Sequence, residues 1–74
     1  MTSSEKMDLL LDLDRKGKKF VRITTIKGEE IYCKLIHFAE DEEDWAYDVM
    51  TLLDFPPRFL TIECNYIKSI EELT

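Results

Sequence analysis

The sequence contains few of the residues from which catalytic and metal sites are usually built. It has two glycines, two prolines, two cysteines and one histidine among 74 residues. Cys33, Cys64 and His37 lack the compact spacing of metal ligands. No further residue is placed to orient His37 as a catalytic base toward a cysteine nucleophile, and the chain has no glycine-rich turn. We therefore predict no enzyme activity, no metal and no cofactor, and we interpret both cysteines as buried free thiols.

Long apolar runs and an export signal are also missing from the sequence. No run approaches the roughly 18 residues that would span a bilayer. The first residues carry acids, and they lack the basic start and small-residue cleavage site of a signal peptide. We expect a cytoplasmic protein without a membrane partner.

Positive charge is in short supply, since the formal net charge is −6 at pH 7. Nucleic-acid binding depends on Lys and Arg neutralising phosphates, so this balance disfavours RNA as a partner without excluding a local basic patch. The one basic cluster is Arg15, Lys16, Lys18, Lys19 and Arg22. It is interpreted either as a contact for RNA or an acidic protein, or as a helix end followed by exposed strand residues.

A run of five acids interrupts the second half of the chain: Glu40, Asp41, Glu42, Glu43 and Asp44. Like charges at this density repel one another and belong in solvent, so a loop is predicted. The run lacks the glycine-centred alternation of a calcium loop. A solubilising loop, or one that faces a basic partner, is the favoured interpretation.

The first part of the chain has the period of a helix. Thr2 and Glu5 fit a capping box, apolar residues recur at helical spacing, and Gly17 is placed to end the helix. We predict a helix over residues 2–16 and one domain over residues 1–74. A domain this small is marginally stable by itself, and self-association is a common remedy.

The rest of the chain has the period of β-strands. Alternation predicts strands over residues 20–26, 30–38, 45–53, 59–63 and 66–70, with turns at Gly28, at the acidic run and at Pro56-Pro57. No second helix is available to cover a parallel sheet. We therefore predict a mainly β fold: an N-terminal helix followed by a strongly bent, five-stranded antiparallel barrel over about residues 19–71. Closure would remove the exposed sheet edges.

Two short patterns in this order resemble the two motifs of the Sm/Lsm-like family, whose fold is a small SH3-like barrel. The second motif is matched in spacing by Ile62, Asn65, Ile67 and Ile70. The first is matched by Val21, Ile23, Gly28, Leu35 and Phe38. In two positions the motif glycines are replaced by Cys33 and Cys64. Glu63 replaces a usual Arg or Lys, and Ala39 and Glu43 replace the usual Asp and Asn.

The resemblance implies a homo-oligomer in which the fourth strand of one subunit pairs with the fifth strand of the next. The seam would then contain Phe59, Leu60, Thr61, Ile62, Tyr66, Ile67 and Ile70. We predict a non-catalytic, self-associating interaction module whose other protein partner the sequence does not identify. The alternative is an RNA-binding protein that uses the turn around Asn65 and the basic helix end, with contacts at Asn65, Tyr66, Lys18, Lys19 and Arg22.

Overall fold

A computed structural model describes residues 2–40 and 44–73 of the chain. One helix, α1 (Ser3–Arg15), precedes five strands: β1 (Phe20–Thr25), β2 (Glu30–Glu40), β3 (Trp45–Thr51), β4 (Phe59–Glu63) and β5 (Ile67–Glu72). A short 3-10 helix, Cys64–Tyr66, joins β4 to β5. The element order and the mainly β class agree with the sequence prediction. Within the described residues no helix has the length and apolar character that crossing a membrane requires.

The helix begins and ends where local sequence signals place its boundaries. The hydroxyl of Thr2 accepts a hydrogen bond from the Glu5 backbone N–H at 3.2 Å, which satisfies one free donor of the first turn. Gly17 has a φ of 78° and follows the last turn, and the Lys18 N–H donates to the Leu13 carbonyl at 2.9 Å. A residue without Cβ adopts this left-handed conformation at little cost, so glycine ends the helix here.

The five strands form one antiparallel sheet in the order β4-β3-β2-β1-β5. Gly28, with a φ of 87°, lies in the tight turn between β1 and β2. The strands adjacent in sequence from β1 to β4 are also adjacent in space, as short connections favour. By contrast, β4 and β5 follow one another in the chain but lie at opposite ends of the sheet.

This strand order requires a strongly curled sheet. In a flat sheet, the outer two of five strands would be about 19 Å apart, at about 4.8 Å between neighbours. The link between β4 and β5 has only three residues, Cys64–Tyr66, and a link of that length spans about 10–14 Å. The curl brings the two edges near each other, but no ladder joins β4 to β5. The prediction of a closed barrel without edges is therefore corrected: the sheet is bent but open.

The core lies between the inner face of the curled sheet and α1. The helix contributes Met7, Leu10 and Leu13, and each of the five strands contributes at least one buried apolar residue. In β1, Val21, Ile23 and Thr25 are buried, as their period of two predicts. In β3, Tyr47 and Val49 are buried, whereas Trp45, two residues before Tyr47, is 43% exposed at the start of the strand. Asp14 of α1 accepts a hydrogen bond from the Tyr47 hydroxyl, which joins helix to sheet.

Candidate self-association interface

The two outer strands of the sheet are each paired on one side only. β4 pairs with β3, with Phe59 opposite Met50 and Glu63 opposite Ala46. β5 pairs with β1, with Val21 opposite Glu72. The other side of each strand presents backbone N–H and C=O groups that no strand among residues 2–40 and 44–73 satisfies. Such edges are ready templates for a further strand.

The β4 edge alternates between core-facing and outward-facing side chains. Ile62 is buried and Leu60 is half-buried against the core, so these two residues lie on the inner face. Phe59 lies on the outer face and is 74% exposed, which is unusual for a phenylalanine of a strand. Of the predicted seam residues on β4, Ile62 is thus already used by the core, while Phe59 and the backbone edge are available.

The β5 edge contains an irregularity that explains the spacing of its two isoleucines. Ile67 and Ile70 are three residues apart, which in a regular strand would place them on opposite faces. The register between β1 and β5 shifts between Thr24 and Thr25, with Thr24 opposite Ser69 and Thr25 opposite Ile67. Lys68 is the extra residue of this bulge. As a result Ile67 is buried, and Ile70 also packs against the core.

A shallow groove of about 350 Å³ lies along the inner side of the β4 edge. Its apolar lining comes from Ile31 of β2, Leu60 and Ile62 of β4, and Tyr66 of the short 3-10 helix. Ile31, Leu60 and Tyr66 are only partly buried. The groove therefore offers apolar surface directly beside the outer edge of β4.

The turn between the two edges is fixed by contacts from three other elements. The Asn65 backbone N–H donates to Asp44 Oδ2 at 2.7 Å. The Lys6 ammonium of α1 donates to the Cys64 carbonyl at 3.2 Å. The Tyr66 hydroxyl donates to Glu29 Oε1 at 3.1 Å. Because these contacts hold the turn, the relative position of the two edges is set within one subunit.

The predicted RNA contacts do not form one patch. Asn65 and Tyr66 lie in the short 3-10 helix that precedes β5, whereas Lys18 and Lys19 precede β1, beside the end of β5. The six residues of β5 separate the two groups by about 20 Å at about 3.3 Å per residue. The three cations also face acids of their own chain: Lys18 faces Glu72 at 3.5 Å, Lys19 faces Asp14 at 3.4 Å, and Arg22 pairs with Glu71.

The predicted acidic loop lies only partly within the described residues. Glu40 is exposed at the end of β2, and the Asp44 carboxylate accepts the hydrogen bond from the Asn65 backbone N–H. Asp41, Glu42 and Glu43 lie outside the described residues. Among residues 2–40 and 44–73 there is no cluster of three His, Cys, Asp or Glu side chains that would hold a metal ion.

The two cysteines lie in the core, whereas the histidine lies at the surface. Cys33 and Cys64 are free and buried in the core. Burial raises the pKa of Cys33 to about 11. The pKa of Cys64 is raised as well, first by burial and then by the nearby Asp44 carboxylate. His37 is largely exposed and its Nε2 lies 2.9 Å from Asp48 Oδ2. The structure therefore does not place the buried thiol of Cys33 or Cys64 beside the exposed imidazole of His37.

Sequence reasoning missed the polar residues that end the two edge strands. Arg58 precedes β4, and its backbone N–H donates to the Thr51 hydroxyl at 2.8 Å. Glu72 ends β5, where the Leu73 N–H donates to the Phe20 carbonyl at 2.9 Å. Their opposite charges at the outer ends of two predicted strands were a signal in the sequence.

No family model, curated protein or solved structure matches this chain.

Proposed function

We propose that the chain is a non-catalytic, Sm-like interaction module that self-associates by pairing β4 of one copy with β5 of the next. The observation that carries the proposal is the strand order, which leaves β4 and β5 as the two outer strands of one curled sheet. The strand pairing implied by the Sm resemblance needs these two edges to be available. Because the edges are different strands, each copy can donate one and accept the other in a head-to-tail arrangement.

The energetics of the small domain favour this pairing. A chain of 74 residues has a small core and little stability to spare. Edge pairing satisfies backbone groups, and it covers the partly exposed apolar groove lined by Ile31, Leu60 and Tyr66. A head-to-tail contact generates a ring where the rotation between successive copies closes, and a filament where it does not. A closed assembly leaves no edge open to aggregation.

Light scattering on purified protein, from micromolar to millimolar concentration, tests self-association. We expect a mass that is a multiple of the 8.8 kDa chain and that rises with concentration to a plateau. Phe55 is 99% exposed in the loop before β4 and belongs to neither edge strand. Phe55→Ser is therefore the control, and it should leave the mass unchanged. Loss of association in this variant would indicate that the interface lies in the loop before β4 and not at the strand edges.

RNA binding is the second proposal, since the Asn65–Asp44 hydrogen bond places the turn after β4 beside the β2–β3 loop. The RNA alternative assigns the turn around Asn65 to RNA contact. The carboxylate of Asp44 would repel phosphate, and the cations Lys18, Lys19 and Arg22 already face carboxylates. Self-association is therefore the better-supported proposal.

Titration with short U-rich and A-rich RNA, followed by fluorescence anisotropy at low and high salt, separates the two proposals. We expect no saturable binding even at low salt, where phosphate contacts are strongest. Affinity that appears at low salt and is lost in Asn65→Ala would favour the RNA proposal instead.

A further inference from the structure

We propose that a second copy of this chain binds in one specific register, with Leu60 of β4 opposite Ile70 of the neighbour's β5, and Arg58 opposite the neighbour's Glu72. This inference rests on the proposed function, because it specifies how the two edges meet. It follows from three properties of the edges: which side chains face the core, where the bulge in β5 lies, and which charges end the strands.

The facing of side chains restricts the register first. A strand added to a sheet must place its inner residues beside inner residues, because the side-chain period is two. The inner residues of β4 are Leu60 and Ile62, and those of β5 are Ile67 and Ile70. In antiparallel pairing, only registers that place Ile70 opposite Leu60 or Ile62 satisfy this condition.

The bulge in β5 then favours Leu60 over Ile62 as the partner of Ile70. With Ile70 opposite Leu60, Thr61 lies opposite Ser69. Because Lys68 is the extra residue of the bulge, the following residue of β4, Ile62, then lies opposite Ile67. Thr25 of β1 lies opposite Ile67 in the same way on the other side of β5. Both apolar pairs then face the core side, and the two hydroxyl residues share the outer side. Cross-strand pairs of matched character are the stabilising unit of a sheet.

The charges at the strand ends fit the same register. Arg58 then lies opposite Glu72. The Arg58 side chain is 67% exposed and contacts Asp54 at 3.1 Å, a surface pair of low strength. Glu72 contacts Lys18 at 3.5 Å, also at the surface. Neither contact buries its charge, so both side chains are able to pair across the seam.

The neighbouring registers fit less well. Moving β5 so that Ile70 lies opposite Ile62 places the Glu72 carboxylate opposite the apolar Leu60. Moving it the other way places Ile70 opposite Arg58. Each shift also removes the Arg58–Glu72 pair. Charge on an edge can serve to prevent pairing, but the opposite signs that meet in the favoured register indicate recognition between β4 and β5.

Charge reversal followed by mixing tests this register. Arg58→Glu and Glu72→Arg should each weaken self-association about tenfold or more, since each places like charges opposite one another. An equimolar mixture of the two variants should restore association, because every contact between the two different variants recreates a pair of opposite charges. The double variant should also restore it. Arg15→Glu, in the last turn of the helix and outside both edge strands, is the charge-matched control for Arg58→Glu and should leave the mass unchanged.

The possible outcomes distinguish the register from the proposed function. A wild-type chain that is monomeric at all concentrations overturns both. Wild-type association that neither single variant weakens leaves edge pairing possible but overturns this register. An effect of Arg58→Glu alone would indicate pairing of two β4 strands, and an effect of Glu72→Arg alone would indicate pairing of two β5 strands. Circular dichroism of each variant excludes misfolding, and rescue by mixing does so independently.

Discussion

Replacing Ile67 with alanine is expected to lower the free energy of unfolding by about 2–5 kcal/mol, the range for truncating a buried isoleucine. The Ile67 side chain has no solvent exposure and belongs to the central core cluster. A domain of this length has a total stability of about 4–11 kcal/mol, so the loss is a large fraction of the whole. Urea unfolding followed by circular dichroism at one fixed, dilute concentration measures it, since self-association makes stability depend on concentration.

Ile26→Ala is the matched control for that substitution. Ile26 follows β1 and is 61% exposed, so the same truncation removes little buried area. We expect a change within about 0.5 kcal/mol, as for other surface substitutions. Equal losses in the two variants would contradict the burial of Ile67 in the core.

Replacing Tyr47 with phenylalanine is the second substitution with a large expected effect. The Tyr47 ring is fully buried, and its hydroxyl donates to the partly buried carboxylate of Asp14 on the helix. Burial and this carboxylate both raise the pKa of Tyr47, so the hydroxyl is the proton donor throughout the neutral range. Removal of a hydrogen bond to a charged group costs about 1.5–3 kcal/mol. We expect a loss of this size in the free energy of unfolding by urea.

Tyr66→Phe provides the comparison for Tyr47. The Tyr66 hydroxyl also donates to a carboxylate, Glu29, but this pair is exposed to solvent. Water replaces the lost partner there, so we expect a change of about 0.5 kcal/mol or less. A small effect at Tyr47 and a large one at Tyr66 would contradict the arrangement in which Asp14 and Tyr47 join the helix to the sheet.

Local signals in the sequence were sufficient to predict the elements of the fold. The helix cap at Thr2, the glycine at position 17 and the alternation in β1 each act over a few residues, and each appears where it was predicted. Gly28 likewise lies in a turn with positive φ. The boundaries of β1, β2, β3 and β5 differ from the predicted ones by one or two residues, because sheet pairing, rather than local pattern, decides where a strand ends.

Properties that depend on distant contacts could not be predicted in the same way. Whether the sheet closes depends on how the ends of a curled sheet meet, and local alternation carries no information on this. The ion pairs of Lys18 and Arg22 with β5 arise from the β1–β5 ladder, whose partners are about 50 residues apart in sequence. The basic cluster therefore seemed available for RNA in the sequence, whereas the structure places acids of the same chain beside Lys16, Lys18, Lys19 and Arg22.

The spacing of Ile67 and Ile70 in the sequence already indicated a bulge in β5. Ile67 and Ile70 were matched to a motif by their spacing of three, although a regular strand turns residues three apart to opposite faces. That conflict is itself the signal of a bulge, and the structure places the bulge at Lys68. The bulge matters for the proposed seam, because it determines which residues of a neighbouring β4 can lie opposite β5.

Self-association through the open edges of the sheet predicts a discrete multiple of 8.8 kDa in light scattering at high concentration, retained in Phe55→Ser. A mass of 8.8 kDa at every concentration up to the millimolar range would contradict it.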